Sequence, residues 1–229
     1  MTFGAVVVIL AAGAGKRLGR DEPKGFITLG GRPLFAHSLG AASECPDVDA
    51  LVLAVPPNLE PRATTVGTAK PVTVVAGGET RQGSVLAALA AVPEEVLSIV
   101  IHDAARPFVT PGLFSVVLGA LAGSDAAGVI PVIPVPDTVK RVREGLVAGT
   151  EDRGHLSLAQ TPQAFRAAEL RDAHSRAAAA ARVFTDDASV MEWAGYRVRT
   201  VPGDPTNFKI TTAEDLALAE LVAGEWTRA

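Results

Sequence analysis

Short apolar runs alternate along this chain with segments in which apolar residues recur at helical spacing. The apolar runs lack polar alternation, as is typical of strands buried on both faces of a parallel sheet. They lie at 5–10, 50–55, 72–76, 99–102 and 126–135, and the last is expected to break up at Pro131, Pro134 and Pro136. Segments with helical spacing begin near Pro33, Gly83 and Thr110. Strands that alternate with helices predict an α/β fold, a three-layer αβα sandwich around a mostly parallel, Rossmann-like sheet.

The last hundred residues depart from this alternation at one place. Polar and apolar residues alternate over 137–159 around a predicted turn at Glu144-Gly145, which predicts a protruding β-hairpin arm. Later elements are predicted to be helices at 166–181 and 212–226, a short helix that Thr185-Asp186-Asp187 caps and that ends at Gly195, a strand at 196–201 and a short β-like segment at 207–210. Thr212 and Asp215 form a capping-box pattern at the start of the last helix. We find no linker or repeat, so 1–229 is predicted to be a single domain.

Composition narrows the class of protein. The net charge of −4 gives no support for a nucleic-acid or membrane partner, so basic residues must act locally, as on a small anionic substrate. Cys45 is the only cysteine, which excludes an intramolecular disulfide and predicts a reducing, cytoplasmic location. The apolar run at 5–14 precedes its positive charges rather than following them, unlike a secretory signal. A later run of membrane-spanning length is also missing from the sequence.

A loop of small and basic residues follows the first predicted strand. Residues 11–15 are Ala-Ala-Gly-Ala-Gly, and the cations Lys16, Arg17, Arg20 and Lys24 come next. Small side chains let the backbone approach a ligand, its N–H groups can face an anion, and the cations neutralise charge. This combination predicts a polyphosphate-binding loop. The spacing fits neither a P-loop nor a dinucleotide fingerprint, because Arg17 and Leu18 occupy the positions that those motifs reserve.

Polar motifs also follow the other predicted strands of the sheet. The first set is Gly77, Gly78, Arg81 and Ser84, the second is His102, Asp103 and Arg106, and the third is Asn207, Lys209 and Thr211. Ligands of doubly wound sheets bind beyond the carboxyl ends of the strands, so these motifs should share one site. Asp103 is suited to Mg²⁺, which prefers oxygen ligands shared with phosphates and water. His102 is expected to be a buried, hydrogen-bonded histidine, because no nucleophile motif accompanies it.

The complete set of motifs resembles one enzyme family. It comprises Ala11-Ala-Gly-x-Gly-x-Arg17…Pro23-Lys24, Gly77-Gly…Arg81-x-x-Ser84, His102-Asp-Ala-Ala-Arg-Pro107, Asp137-Thr138…Lys140-Arg141, Thr161-Pro-Gln163, Thr185-Asp-Asp-Ala-Ser189 and Asn207-x-Lys209-x-Thr211. These motifs occur in the same order, and over nearly the whole chain, as in the 2-C-methyl-D-erythritol 4-phosphate cytidylyltransferases, which the sequence therefore resembles. The first motif alone would indicate only a nucleotidyltransferase.

The resemblance implies transfer of CMP from CTP to 2-C-methyl-D-erythritol 4-phosphate, with release of pyrophosphate, in the non-mevalonate isoprenoid pathway. It implies four catalytic residues: Arg17, Lys24, Arg153 and Lys209. It implies CTP binding by Ala11, Ala12, Gly13, Ala14, Gly15, Gly77, Gly78, Arg81, Ser84 and Ala104. It implies second-substrate binding by Asp103, Arg106, Thr138, Thr185 and Thr211, with Asp103 also holding Mg²⁺ or another divalent cation. It also implies a homodimer in which the arm, about 137–159, completes the partner's site.

Other functions stay open at this point. A ribitol 5-phosphate cytidylyltransferase would share the fold and the CTP motifs and differ at the polyol contacts. A sugar-1-phosphate nucleotidyltransferase fits less well, because of the Gly77-Gly…Arg81…Ser84 motif and the short C-terminus. A non-catalytic nucleotide-binding regulator would be expected to lose residues such as Lys24 or Asp103, which are present. We further expect that Gly83 loosens its helix and that no cyclase domain is fused after Trp226.

Overall fold

The computed structural model describes residues 4–13, 15, 18 and 22–226, and its helices and strands follow the predicted alternation. The strands are β1 Ala5–Leu10, β2 Thr28–Leu29, β3 Arg32–Pro33, β4 Ala50–Val55, β5 Val72–Ala76, β6 Ser98–Asp103, β7 Gly128–Pro134, β8 Lys140–Arg143, β9 Leu146–Thr150, β10 Ser157–Ala159, β11 Gln163–Arg166 and β12 Val198–Pro202. The α-helices are α1 Leu34–Glu44, α2 Glu60–Ala63, α3 Arg81–Ala91, α4 Pro111–Ala122, α5 Ala167–Ala179, α6 Asp187–Trp193 and α7 Ala213–Trp226.

The main sheet is mostly parallel, as predicted. Within the described residues its order is β10-β7-β11-β6-β1-β4-β5, and β12 pairs with β7 as well. Strand β1 lies between β4 and β6 and is parallel to both, while β10 and β11 run antiparallel to their neighbours. The carboxyl ends of β1, β5 and β6 therefore meet at one edge of the sheet.

Helices cover both faces of this sheet, which explains the unbroken apolar pattern of β1. Val6 and Val8 pack in a core with helices α3, α5 and α6, whereas Val7 and Ile9 pack in the core formed with α1 and α4. Successive side chains of a strand point to opposite faces, so both sets must be apolar. This arrangement confirms the predicted three-layer αβα sandwich. Among the residues described, no helix combines the length and the apolar character that crossing a bilayer requires.

Three local predictions differ from the structure. Strand β11 inserts antiparallel between β6 and β7, where we predicted no strand, because four residues are too few to show a period. The segment 207–210 is not a strand, and its backbone is bonded to other groups instead: the Ile210 N–H donates to the Ala105 carbonyl. The strand predicted at 126–135 was expected to break at Pro131, but the pairing of β7 with β12 continues past it.

The predicted hairpin arm is present and is exposed. Strands β8 and β9 pair antiparallel, and the turn between them has positive φ at Glu144 (52°) and Gly145 (78°), as a two-residue hairpin turn of the primed type requires. Val142, Leu146 and Val147 on this hairpin are 60%, 75% and 66% exposed. The hairpin itself occupies 140–150, and the end of the predicted arm returns to the main sheet as β10.

Arg171 ties helix α5 to the C-terminus of α3. Its guanidinium donates to the carbonyls of Leu89, Val92 and Pro93 at 2.7, 2.8 and 3.1 Å, where the partial negative charge of α3 concentrates. We expect Arg171→Ala to lower the free energy of unfolding by about 2 kcal/mol, because three carbonyl bonds to a charged donor are lost. Urea unfolding measures the change. Arg176→Ala on the same helix, which removes an exposed ion pair, is the control and should cost less than about 1 kcal/mol.

Candidate active site

A cavity of about 750 Å³ opens at the carboxyl ends of β1, β5 and β6. Most of the residues that the sequence assigned to a site line it. They are Ala11, Ala12, Gly13, Gly15, Lys24, Gly77, Gly78, Arg81, Ser84, Asp103, Ala104, Lys209 and Thr211. Motifs far apart in the sequence thus meet in one cavity, because parallel strands carry their C-terminal loops to the same edge.

The loop after β1 is folded tightly against Lys24. The Lys24 N–H donates to the Gly13 carbonyl at 3.1 Å, and Gly15 has a φ of 65°, a conformation that favours glycine. A Cβ on Gly15 would lie 2.8 Å from the Cβ of Lys24, and one on Gly25 would lie 2.8 Å from Ala11. Of the small residues predicted to let the backbone approach a ligand, Gly15 is therefore also required by the fold of the loop itself, whereas a Cβ on Gly13 would meet no atom within 4 Å. The remaining members of the loop motif, Ala14, Lys16, Arg17 and Arg20, lie outside the described residues.

The loop after β5 is packed as closely. A Cβ on Gly77 would clash with the Cβ of Ala12, so the two loops that border the cavity are in contact. The Ser84 hydroxyl accepts from the Gly78 N–H at 3.1 Å and fixes the turn that begins α3. Glycine is required at position 78, because a Cβ there would lie 2.9 Å from the Gly83 Cα, whereas a Cβ on Gly83 would lie 3.5 Å from the Gly78 Cα, an ordinary contact. The expectation that Gly83 loosens this helix stays a prediction.

A network of four charged side chains forms the polar side of the cavity. Asp103, at the end of β6, accepts from Arg81 Nε at 3.1 Å on Oδ1 and from Lys209 Nζ at 2.6 Å on Oδ2. The other end of the Arg81 guanidinium forms an ion pair with Asp187, its Nη2 lying 2.7 Å from Oδ2. Asp187 is fully buried and accepts from His174 Nε2 at 3.0 Å. The two negative charges of the carboxylates therefore balance the two positive charges of Arg81 and Lys209 within the network.

Both carboxylates of this network are held in the ionised form. Burial opposes ionisation of Asp103, but the charges of Arg81 and Lys209 outweigh it and hold the pKa of Asp103 well below its usual range. For Asp187 burial also opposes ionisation, and the charge of Arg81 with the hydrogen bond from His174 again lowers the pKa. Arg81 is desolvated as well, yet its two carboxylate partners raise its pKa. Asp103, Asp187 and Arg81 therefore all stay charged at neutral pH.

His102 has the structural role that the sequence predicted. It is fully buried, and its Nε2 lies 3.2 Å from the Arg106 carbonyl, to which it must donate. Its Nδ1 then accepts from the hydroxyl of Thr161 at 3.0 Å, and the same hydroxyl oxygen accepts from the Asp103 N–H at 3.1 Å. This chain of hydrogen bonds uses neutral His102 to fix the backbone of Asp103.

Burial lowers the pKa of His102 to about 4, from an ordinary value of 6.5, and this shift predicts a pH-dependent stability. Between these values the unfolded chain binds a proton that the folded chain does not, so stability is full above pH 6.5 and falls as the pH drops towards 4. The slope should reach about 1.4 kcal/mol per pH unit. Urea unfolding at pH 7, 6 and 5 measures it, and His102→Gln, which keeps both a donor and an acceptor, should show a shallower fall.

Four predicted substrate or catalytic residues lie away from the cavity lining. Thr138, Arg153 and Thr185 are exposed, and Arg153 donates to the Pro136 carbonyl at the base of the arm. Arg106 is half-buried and has structural partners: its Nη1 donates to the Asn207 carbonyl at 2.8 Å and its Nη2 to the Ala159 carbonyl at 3.2 Å. These bonds hold the segment that carries Lys209 against the end of the arm. The roles assigned to these four residues stay predictions.

The sequence missed other residues of the site. The cavity is also lined by Leu10, Gly25, Pro57, Glu79, Thr80 and Ala105, for which we predicted no role. Glu79 and Thr80 could have been found, because they lie between Gly78 and Arg81 in a predicted ligand loop. Asp187 was seen only as part of a helix-capping motif, and His174 gave no signal in the sequence.

The described residues fit one mode of divalent-cation binding. They contain no group of three or more His, Cys, Asp or Glu side chains that could hold a metal ion. Asp103 is nonetheless an ionised, 8% exposed carboxylate on the cavity wall, among cations that suit a polyphosphate. This chemistry fits Mg²⁺ held by one carboxylate together with substrate phosphates and water, rather than an all-protein cage.

Comparisons with known proteins agree with this geometry. The family model of 2-C-methyl-D-erythritol 4-phosphate cytidylyltransferase (IspD) matches residues 5–225. A bifunctional enzyme IspD/IspF of Rhodopseudomonas palustris (strain BisB5) is 46% identical over 222 residues, covering 93% of this chain and 54% of the relative. A 2-C-methyl-D-erythritol 4-phosphate cytidylyltransferase of Microcystis aeruginosa is 42% identical over 224 residues, 96% of this chain and 98% of that protein.

A solved structure extends the comparison to the fold. The crystal structure of 2-C-methyl-D-erythritol 4-phosphate cytidylyltransferase from Thermus thermophilus superposes with a TM-score of 0.80 at 35% identity, covering 98% of this chain and all of that one. The chain spans about half the length of the bifunctional relatives and nearly all of the Microcystis protein. A family model that matches almost the whole chain shows the family. The chain therefore belongs to the 2-C-methyl-D-erythritol 4-phosphate cytidylyltransferase family.

Proposed function

We propose that this protein transfers CMP from CTP to 2-C-methyl-D-erythritol 4-phosphate, with release of pyrophosphate, in non-mevalonate isoprenoid synthesis. One observation carries the proposal within the family: a single cavity joins the glycine loop and Lys24 to the network of Asp103, Arg81 and Lys209. On one side of the cavity, backbone N–H groups and cations can bind a triphosphate, and on the other side lies a charged carboxylate.

The reaction needs positioning and charge neutralisation rather than a protein nucleophile. A phosphate oxygen of the second substrate attacks the α-phosphorus of CTP, and the bond from that phosphorus to the pyrophosphate oxygen breaks. Lys24, with Arg17, neutralises the charge that builds on the α-phosphate and the leaving pyrophosphate. Lys209 orients the attacking phosphate, and Gly78, Arg81 and Ser84 read the cytosine.

Mg²⁺ or another divalent cation belongs to the same proposal. Asp103 would hold it together with the phosphates, where it would neutralise charge on the triphosphate. The ionised state of Asp103 and its place on the cavity wall support this role.

A homodimer and a cytoplasmic location complete the proposal. The exposed apolar side chains on the hairpin arm support a dimer, since an arm that packs against a second copy would cover them. Thr138 and Arg153, at the base of that arm, would then complete the second copy's site, and Arg106 and Thr185 would contact the polyol. The single, buried cysteine is compatible with a reducing compartment.

Pyrophosphate release from purified protein with CTP and Mg²⁺ tests the function. We expect strong preference for methylerythritol 4-phosphate over ribitol 5-phosphate, measured as kcat/KM. Preference for ribitol 5-phosphate would keep the CTP site and overturn the pathway assignment. Release with neither substrate, from protein that binds CTP, would overturn the proposed activity and favour a nucleotide-binding regulator.

A further inference from the structure

Asp187 is a buried carboxylate whose presence the fold alone does not require. It is the first residue of α6, but the cap of this helix is formed by its neighbour Asp186, which accepts from the Ser189 N–H at 3.0 Å. A buried charge costs several kcal/mol of desolvation unless its partners compensate it. The partners of Asp187 are His174 and Arg81, so the reason for this carboxylate lies in one of these contacts.

Arg81 needs a second carboxylate for two reasons. It is the first residue of α3, and a cation is disfavoured at the N-terminus of a helix, where the N–H groups carry partial positive charge. Its guanidinium is also shared between two elements, with Nε on Asp103 at the end of β6 and Nη2 on Asp187 at the start of α6. Attraction to two negative charges on opposite sides holds the guanidinium between the two carboxylates.

This sharing matters for the cation that Asp103 is proposed to hold. Oδ1 of Asp103 accepts from Arg81 and Oδ2 accepts from Lys209, so a divalent ion would bind on a remaining lone pair, close to both positive charges. Asp187 attracts Arg81 in the opposite direction, and His174 fixes Asp187 by donating Nε2–H to its other oxygen. Without the charge of Asp187, the full charge of Arg81 would act on Asp103.

We propose that Asp187, oriented by His174, is a positioning residue that divides Arg81 between two carboxylates and so leaves Asp103 able to take up a divalent cation with CTP. The inference rests on the proposed function for the identity of the nucleotide. It does not make Asp187 a ligand or a reacting group: Asp187 acts only through Arg81.

Direct Mn²⁺ binding to the full-length Asp187→Asn variant tests this inference. With protein in excess over CTP, electron paramagnetic resonance of free Mn²⁺ should give a Kd about tenfold higher than in the wild type, since one negative charge leaves a partly buried network. The Mg²⁺ concentration for half-maximal pyrophosphate release should rise by a similar factor. Binding of CTP in EDTA should change less than threefold, whereas general damage to the site would weaken both. Wild-type Mn²⁺ affinity in this variant overturns the inference.

Two further variants complete the design. Asp186→Asn removes the neighbouring carboxylate, which caps α6 and accepts from Gln163, and should leave Mn²⁺ affinity unchanged and stability close to that of the wild type, since asparagine caps helices as well as aspartate does. If Asp187→Asn does not fold, Arg81→Gln tests the inference instead. Because this variant lacks the positive charge beside Asp103, its CTP complex should bind Mn²⁺ at least about threefold more tightly than the wild-type complex does. Unchanged or weaker Mn²⁺ binding overturns the inference. Failure of the wild type to release pyrophosphate would refute the proposed activity alone, because Mn²⁺ binding is measured without turnover.

Discussion

Asp103→Asn is expected to lower kcat/KM for CTP about a thousandfold, a loss typical of removing a charge aimed at a developing phosphoryl transition state. Asparagine has nearly the same shape but cannot balance Arg81 and Lys209, which both donate to this carboxylate. It is also a weaker ligand for a hard divalent cation. Steady-state pyrophosphate release at several Mg²⁺ concentrations measures the loss, which added Mg²⁺ should not restore.

Binding separates this prediction from simple damage to the fold. Removal of one negative charge leaves the cavity more positive, so CTP in EDTA should bind the Asp103→Asn variant at least as tightly as it binds the wild type. Asp125→Asn is the matched control: it removes an exposed carboxylate that pairs with Arg197 and should keep full activity. Turnover of Asp103→Asn within threefold of the wild type would refute both the metal role and the organising role of this residue.

The candidate site was predictable where it depended on the ends of parallel strands. The strands β1, β5 and β6 were evident from their apolar runs, and each run ended in glycines or charged residues. Because such ends share one edge of the sheet, Lys24, Arg81 and Asp103 could be assigned to one cavity without any knowledge of their contacts. Sequence order and strand direction were sufficient for this part.

Other features depended on contacts that leave no periodic signal. The antiparallel strand β11 has four residues, and only its pairing with β6 and β7 shows that it is a strand. The segment 207–210 has β-like residues, but its carbonyls and N–H groups bond to Arg106 and Ala105 instead of a neighbouring strand. Tertiary contacts override local propensity in such short segments.

The partnership of Asp187 with Arg81 was hidden for a different reason. Asp186 and Asp187 are adjacent, both acidic and both close to a helix start, so the sequence offers a helix cap as the role of either one. The structure separates them: Asp186 caps α6, while Asp187 is turned inward, where it meets the guanidinium of Arg81 from helix α3 on the same face of the sheet. Which of two neighbouring carboxylates is buried is decided by packing, and no spacing rule shows it.

Lys24→Ala should lower kcat about a hundredfold or more while CTP affinity falls less than tenfold, because a cation near the leaving pyrophosphate is worth most when charge develops there. The rigid setting of Lys24 supports this role. Its backbone is bonded to Gly13 and packed against Gly15, so the position of the residue is fixed by the same loop that lines the cavity. A cation carried on a fixed backbone position needs less reorganisation to reach the developing charge than one carried on a mobile loop.

Single-turnover rates and calorimetric CTP binding, measured on the same preparations, separate the two effects for Lys24→Ala. Lys70→Ala is the control, because Lys70 contacts the Cys45 carbonyl and is not among the described residues that line the cavity. It should keep both the rate and the affinity of the wild type. In a contradicting result, CTP affinity of Lys24→Ala would fall a hundredfold while the rate at saturation stayed unchanged. Lys24 would then contribute to binding of the substrate and not to stabilisation of the transition state. The leaving-group charge would then have to be neutralised by other residues of the cavity, and among those described Lys209 and Arg81 are cations that line it beside Asp103.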